Sequence, residues 1–143
     1  MRRPAVEQDI PEGFAPHFRK SGLTDPWEPI YSRNTGDAIR IGLRAGAAHA
    51  NSRGFVHGAL ISALADNAMG LSCGLSLTGI SGLVTVGLSV DFLSTARLGQ
   101  WLEIRPVVLK AGKNLCFCTA TIHADEALCA RANATFRALQ SAA

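Results

Sequence analysis

The sequence predicts an α+β domain, one curved antiparallel sheet wrapped round a single long helix. Two observations carry that prediction. Residues 57–72 are the only long stretch with helical spacing, and the segments on either side alternate apolar and polar residues at strand period. A buried helix needs cover and a sheet needs one face buried, so packing one on the other is the economical solution. A chain of 143 residues suits one domain with a full core.

The chain begins irregularly. Five of its six prolines fall within the first 29 residues, so an irregular N-terminal segment of about 1–28 is expected, with "APHFRKSG" as one short helix. "PIYS" and "AIRIGLR" flank Asn34 and Gly36 and read as a hairpin. In its second arm Ile39, Ile41 and Leu43 alternate with Arg40, Gly42 and Arg44. A loop leads to the helix. There Leu60, Leu64, Ala68 and Leu71 make one stripe, and Ile61, Ala65 and Met69 a second. The remaining side is small (Ala59, Ser62, Ala63, Gly70), so the helix is expected to be covered all round.

Four strands follow. In "LVTVGLSVDFL", Val84, Val86, Leu88, Val90 and Phe92 are expected to share the buried face, with Thr85, Gly87, Ser89 and Asp91 on the polar one, away from the helix. "QWLEIRPVVLK", "NLCFCTATIHA" and "ALCARANATFRAL" complete the set, with turns at Gly112 and Asp125-Glu126. Such a sheet has open edges, which favours pairing with another copy.

Charge and cysteines narrow the function. The net charge is +3 without any run of Lys and Arg, so nucleic acid is not the expected partner. Trp27, Tyr31 and Trp101 form no stacking set either. Arg2-Arg3 runs into Pro4, Glu7 and Asp9 rather than an apolar stretch, so no secretory leader and a cytoplasmic location are expected. Asp66 and Asn67 interrupt the long low-charge run, which argues against a membrane span. Cys73, Cys116, Cys118 and Cys129 show no zinc-site spacing, and His17, His49 and His123 add none, so reduced thiols and no metal are expected.

Asp66 is the sharpest candidate for chemistry. An unpaired buried carboxylate opposes folding and is rarely retained without use; the alternative is an exposed acid, or one paired with Arg53 or Arg97. Taken together, "N-x5-H-G-x7-D" (Asn51, His57-Gly58, Asp66), "TVGLSVDFLSTARLG" and "VVLKAGKNLCFCTATI" with "ARANATFRAL" resemble the hotdog-fold acyl-CoA thioesterases. The resemblance is to their PaaI-like branch, related to 4-hydroxybenzoyl-CoA thioesterase, and spans about Gly13 to Leu139. Two departures stand out. Members usually carry a second glycine where this chain has Ala59, which puts a methyl near the acyl or pantetheine channel, and Thr95 stands where a proline is common.

The resemblance implies hydrolysis of acyl-CoA by a homodimer or homotetramer whose acid comes from the partner's helix. Asp66 would act as general base or nucleophile, and the Gly58 N–H at the helix start would polarise the thioester carbonyl. His57 would support the loop or touch substrate. Asn51 would hold the attacking water or simply shape the loop. Thr85 matches a Ser/Thr position near the acid, although the strand alternation turns it away. Arg97, Lys110 and Lys113 would either meet the coenzyme A phosphates or stay solvated. Coenzyme A enters only as part of the substrate, and no separate cofactor is required. The alternative is a non-catalytic acyl-CoA-binding sensor or carrier. A hydratase on the same fold is disfavoured, because no histidine lies close to Asp66 in sequence.

Overall fold

The computed structural model describes residues 9–142. Arg2-Arg3, on which the leader expectation rests, lies outside the described residues. The elements in chain order are β1 (Ala15–Pro16), β2 (Tyr31–Asn34), β3 (Ile39–Arg44), α1 (Gly58–Leu75), β4 (Ile80–Phe92), β5 (Trp101–Ala111), β6 (Leu115–Ala124) and β7 (Ala127–Gln140). The strands form one antiparallel sheet in the order β1-β2-β3-β5-β6-β7-β4. The chain leaves the sheet after β3, crosses its inner face as α1 and re-enters at the far edge as β4. This is the hotdog arrangement.

The "APHFRKSG" stretch does not form the expected helix. Ala15 and Pro16 pair with β2, and the His17 N–H donates to the Ile30 carbonyl at 2.9 Å. Pro16 disfavours helical geometry at the residue before it, and sheet pairing takes the donors a helix would need.

Local sequence explains α1. His57 is extended and caps the helix, its Nδ1 accepting the Ala59 N–H at 2.9 Å. The helix then buries Leu60, Ile61, Leu64, Ala65, Ala68, Met69, Ser72 and Cys73. These meet fully buried Ile41 and Leu43 of β3, Leu102 and Ile104 of β5, and Ile122 of β6 in one core. Each such side chain contributes about 1.5–3 kcal/mol by leaving water. Leu64→Ala would lose about 2–5 kcal/mol, the cavity included. Ser72 is the one polar residue buried on that face. Its hydroxyl bonds the Ala68 carbonyl at 2.7 Å and accepts the Ile39 N–H at 2.9 Å, tying α1 to β3. Gly70 lets the Phe136 ring approach, since a Cβ there would come within 3.2 Å of it. The small side of α1 departs from expectation, because Ser62, Ala63, Asp66, Asn67 and Gly70 remain half-exposed in a single chain.

β4 corrects a second expectation. Its register against β7 skips between Thr85 and Gly87, leaving Val86 as a bulge. An extra residue reverses which face each later side chain takes. The partners across β7 make this explicit: Leu83, Thr85, Leu88, Val90 and Phe92 stand opposite Ala138, Phe136, Ala134, Ala132 and Ala130, all of them buried on the helix side. Thr85 therefore faces its own helix, while Val84 and Val86 face out.

Candidate active site

Asp66 lies midway along α1, half-buried, and its Oδ1 accepts the Thr85 hydroxyl at 2.7 Å. The partner is thus a hydroxyl on the same chain, neither Arg53 nor Arg97. The bulge in β4 makes this pairing possible. Asp66, Asn67 and Thr85 line two clefts that meet at the carboxylate. One, of about 620 Å³, runs toward the C-terminal end of α1 past Gly70 and Gly74; the other, of about 340 Å³, runs past Ser62 and Ala63. Both volumes fall in the range of small-molecule sites.

The helix start supplies different chemistry. The Gly58 N–H belongs to the first helical turn and has no intrahelical acceptor, and among the described residues no side chain takes it. It lies at the positive end of the helix dipole. Gly58 also has a packing reason to be glycine, because a Cβ would come within 3.0 Å of the Phe92 ring. The His57 Nδ1 is engaged in capping, and Nε2 is the ring's remaining polar atom. Asn51 organises the loop: its Oδ1 accepts the N–H groups of Arg53 and Phe55 at 2.9 and 3.1 Å. Its amide NH₂ has no protein partner among the described residues and is left to donate. Ala59 is exposed and lines neither cleft.

Asp66 follows Gly58 by eight residues. At 1.5 Å rise per residue they are about 12 Å apart along the axis, too far for both to act on one carbonyl. The structure brings Asp66 and Thr85 together; Gly58 and His57 sit at the helix start, and Asn51 lies in the loop that leads to it, bonded to Arg53 and Phe55. Within one chain the two groups stay separate.

The three candidate cations do not converge either. Arg97 stands beside the helix start, where it bridges Phe55 and where the Val56 N–H donates to the Ala96 carbonyl. Lys110 and Lys113 lie at the other end of β5, about 30 Å away at strand rise. Cys73, Cys116, Cys118 and Cys129 are buried and unpaired, and no metal-holding group of three or more ligands occurs among the described residues. Nor is any helix there long and apolar enough to cross a membrane. Sequence reasoning missed His17 and Asn67. His17 is buried, and its Nε2 donates to the Asn67 Oδ1 at 3.2 Å, beside Asp66. The pair is fifty positions apart, and neither residue carries a local signal.

Fold and site together define a hotdog protein with a carboxylate–hydroxyl pair opening on clefts and an open amide at the helix start. The model of the Thioesterase superfamily matches residues 53–130. The Pseudomonas aeruginosa protein "Putative esterase PA0474" is 40% identical over 131 residues, covering 90% of this chain and 96% of that protein. Human "Acyl-coenzyme A thioesterase 13" is 36% identical over 69 residues, 48% of this chain and 49% of that protein, so this match spans about half of either. Among solved structures, the Streptococcus pneumoniae TIGR4 "Hypothetical Thioesterase Protein with Coenzyme A" superposes with a TM-score of 0.73 at 21% identity, covering 81% of this chain and 94% of that one. The chain belongs to the thioesterase superfamily, in its hotdog form.

Proposed function

We propose that two copies of this chain hydrolyse acyl-CoA thioesters, each site pairing Asp66 and Thr85 of one copy with Gly58 of the other. The observation that carries the reading is the carboxylate–hydroxyl pair opening on a cleft of mixed polar and apolar lining, with an amide about 12 Å along the same helix that is unpaired among the described residues. Two antiparallel copies bring one of each to a single carbonyl. The exposed β4 edge supports such pairing: its 13 residues leave Val84, Val86, Leu88 and Phe92 open to solvent, a ready template for a second β4. The half-exposed small side of α1 is covered in the same step.

In this mechanism the thioester oxygen rests on the Gly58 N–H. As water adds to the carbonyl carbon, negative charge grows on that oxygen and the dipole-backed amide holds it more strongly. Thr85 fixes the rotamer of Asp66, which takes the proton of the attacking water. The C–S bond then breaks, coenzyme A leaves as a thiolate and takes a proton, and the free acid remains. On the alternative route the carboxylate attacks directly and water hydrolyses the resulting anhydride. In a single turnover in ¹⁸O-water, label in Asp66 identifies the second route, with water attacking the Asp66 carbonyl carbon of the anhydride; the first route puts all label in the released acid. Arg97, beside the helix start, is the cation placed to meet the coenzyme A phosphates of the same site; Lys110 and Lys113 would serve only from another copy. No metal or separate cofactor is required by this chemistry, and the protein works in the cytoplasm as a homodimer or as a homotetramer built from two such dimers.

The human acyl-CoA thioesterase relative and the coenzyme A in the streptococcal neighbour support this substrate class. The test is thiol release from a panel of acyl-CoAs, with light scattering on the same preparation. Tight acyl-CoA binding without turnover would favour the sensor or carrier reading. A monomer at micromolar concentration would remove the composite site.

A further inference from the structure

The N-terminal segment is absent from the mechanism above, yet it forms the outer wall of both clefts. Phe18 and Arg19 line the larger one beside Asp66, and Ser21, Leu23 and Thr24 line the smaller. Phe18 and Leu23 are 62% and 67% exposed, so they add little to the core and present apolar surface to the clefts instead. The Lys20–Glu28 ion pair at 2.8 Å and the turn from Ser21 to Asp25 hold this segment to itself, and His17 ties it to α1. Its backbone N–H pairs with Ile30, and its buried ring reaches Asn67, the residue next to Asp66 on α1. An amide oxygen only accepts, so the ring's Nε2 carries the proton, and Nδ1 is left buried without a partner among the described residues. A buried polar atom left unmatched is a cost, retained here together with a latch that fixes a solvent-exposed wall.

We propose that His17 and Asn67 are positioning residues that set acyl specificity: their hydrogen bond holds residues 18–24 against α1, so the cleft beside Asp66 selects an apolar acyl group long enough to reach Phe18. The remaining lining is mixed, with Asn34 and Ser81 beside an apolar strip that an acyl chain would follow. Leu71, Leu83, Ile80 and Phe136 face the larger cleft, and Gly70 and Gly74 leave room along the helix. An acetyl group ends at the carboxylate and does not reach the wall. A six-carbon chain passes between Phe18 and the start of β4. This inference rests on the reading of Asp66 and Thr85 as the reacting end of the cleft.

The test compares hydrolysis of hexanoyl-CoA and acetyl-CoA, and separately the binding of S-hexyl-CoA, a thioether that cannot be hydrolysed, against free coenzyme A. In the wild type S-hexyl-CoA should bind about tenfold tighter than coenzyme A, the increment that a few methylene contacts supply. His17→Ala should bring the two within about twofold and raise KM for hexanoyl-CoA, leaving acetyl-CoA hydrolysis unchanged. His17→Gln restores a donor to Asn67 and should recover most of the increment. Phe18→Ala removes wall surface, including the ring whose centroid lies 4.9 Å from that of His17, but leaves the His17–Asn67 hydrogen bond and the core in place, and should lose the increment even if His17→Ala unfolds. Wild-type binding that ignores the hexyl chain would overturn the proposal. So would an increment unchanged in Phe18→Ala, or a Phe18→Ala chain that loses its partner copy while keeping the increment, which would assign the wall to subunit packing. Hexyl selectivity without hydrolysis of either thioester would leave the specificity wall standing and reject the hydrolase.

Discussion

Replacing Asp66 by asparagine tests the proposed chemistry most directly, because shape and volume stay nearly constant while the base is removed. The asparagine oxygen can still accept the Thr85 hydroxyl, so the 2.7 Å contact survives as a neutral hydrogen bond. Bonds to a charged acceptor contribute about 1.5–3 kcal/mol and neutral ones about 0.5–1.5 kcal/mol, so roughly 1 kcal/mol is at stake. The site is half-exposed, which screens the charge and reduces even that. For a chain of this size 1 kcal/mol moves Tm by about 3–4 °C, so the melt should fall by no more than that. A buried, unpaired acid would have predicted a rise; the Thr85 hydroxyl removes the reason for one. Turnover should fall on the order of a hundredfold to ten-thousandfold, as when a catalytic base is lost. The assay is thiol release from an acyl-CoA, read beside a thermal melt and a titration with the matching thioether. Turnover within a few fold of wild type would dismiss Asp66 as the base. Lost turnover accompanied by a collapse of the melt would make it a structural acid.

Thr85→Val should lower kcat about tenfold with substrate affinity retained, and Thr85→Ser should restore it, because one charge-assisted hydrogen bond of about 1.5 kcal/mol orients the carboxylate. His57→Ala should lower stability by about 1 kcal/mol, as loss of an N-cap does, and cost less activity than Asp66→Asn; equal losses would promote His57 to a catalytic role. The native protein should react slowly with thiol reagents and release four thiols on unfolding. All four cysteines are buried, and Cys73 is pushed upward by its hydrogen bond to Cys118 and by burial. Mass spectrometry of a native disulfide would contradict this. Burial lowers the His17 pKa below the usual histidine value, against the opposing pull of the Asn67 hydrogen bond and Glu28, with Lys20 and Arg19 acting in the same sense as burial. The unfolded chain then binds the proton more readily, so stability present above about pH 6.5 should be lost as pH falls through the folded value. His17→Gln should flatten that part of a melt-versus-pH profile, and an unchanged slope would assign it to other groups.

The helix was legible in the sequence because its pattern is local. Apolar residues at spacings of three and four and the absence of proline mark α1 in the sequence, and packing of those stripes then stabilises it. The hairpin at Asn34 and Gly36 and the alternation in β3 were legible for the same reason. The motif around Asn51, His57-Gly58 and Asp66 named the residues to examine. Position in space was another matter. Thr85 reads as an outward residue until one extra residue, Val86, reverses the face of the strand; a bulge depends on how β7 pairs, which strand alternation does not contain. The tertiary structure also decided what "APHFRKSG" became, since Ile30 offered pairing that a short helix could not match. It separated Arg97 from the two lysines by the length of β5. It placed His17 against Asn67 across fifty positions, where no periodicity reaches. Local spacing sets which face a segment shows, but which groups meet is set by long-range strand pairing and by burial, and these are properties of the folded chain.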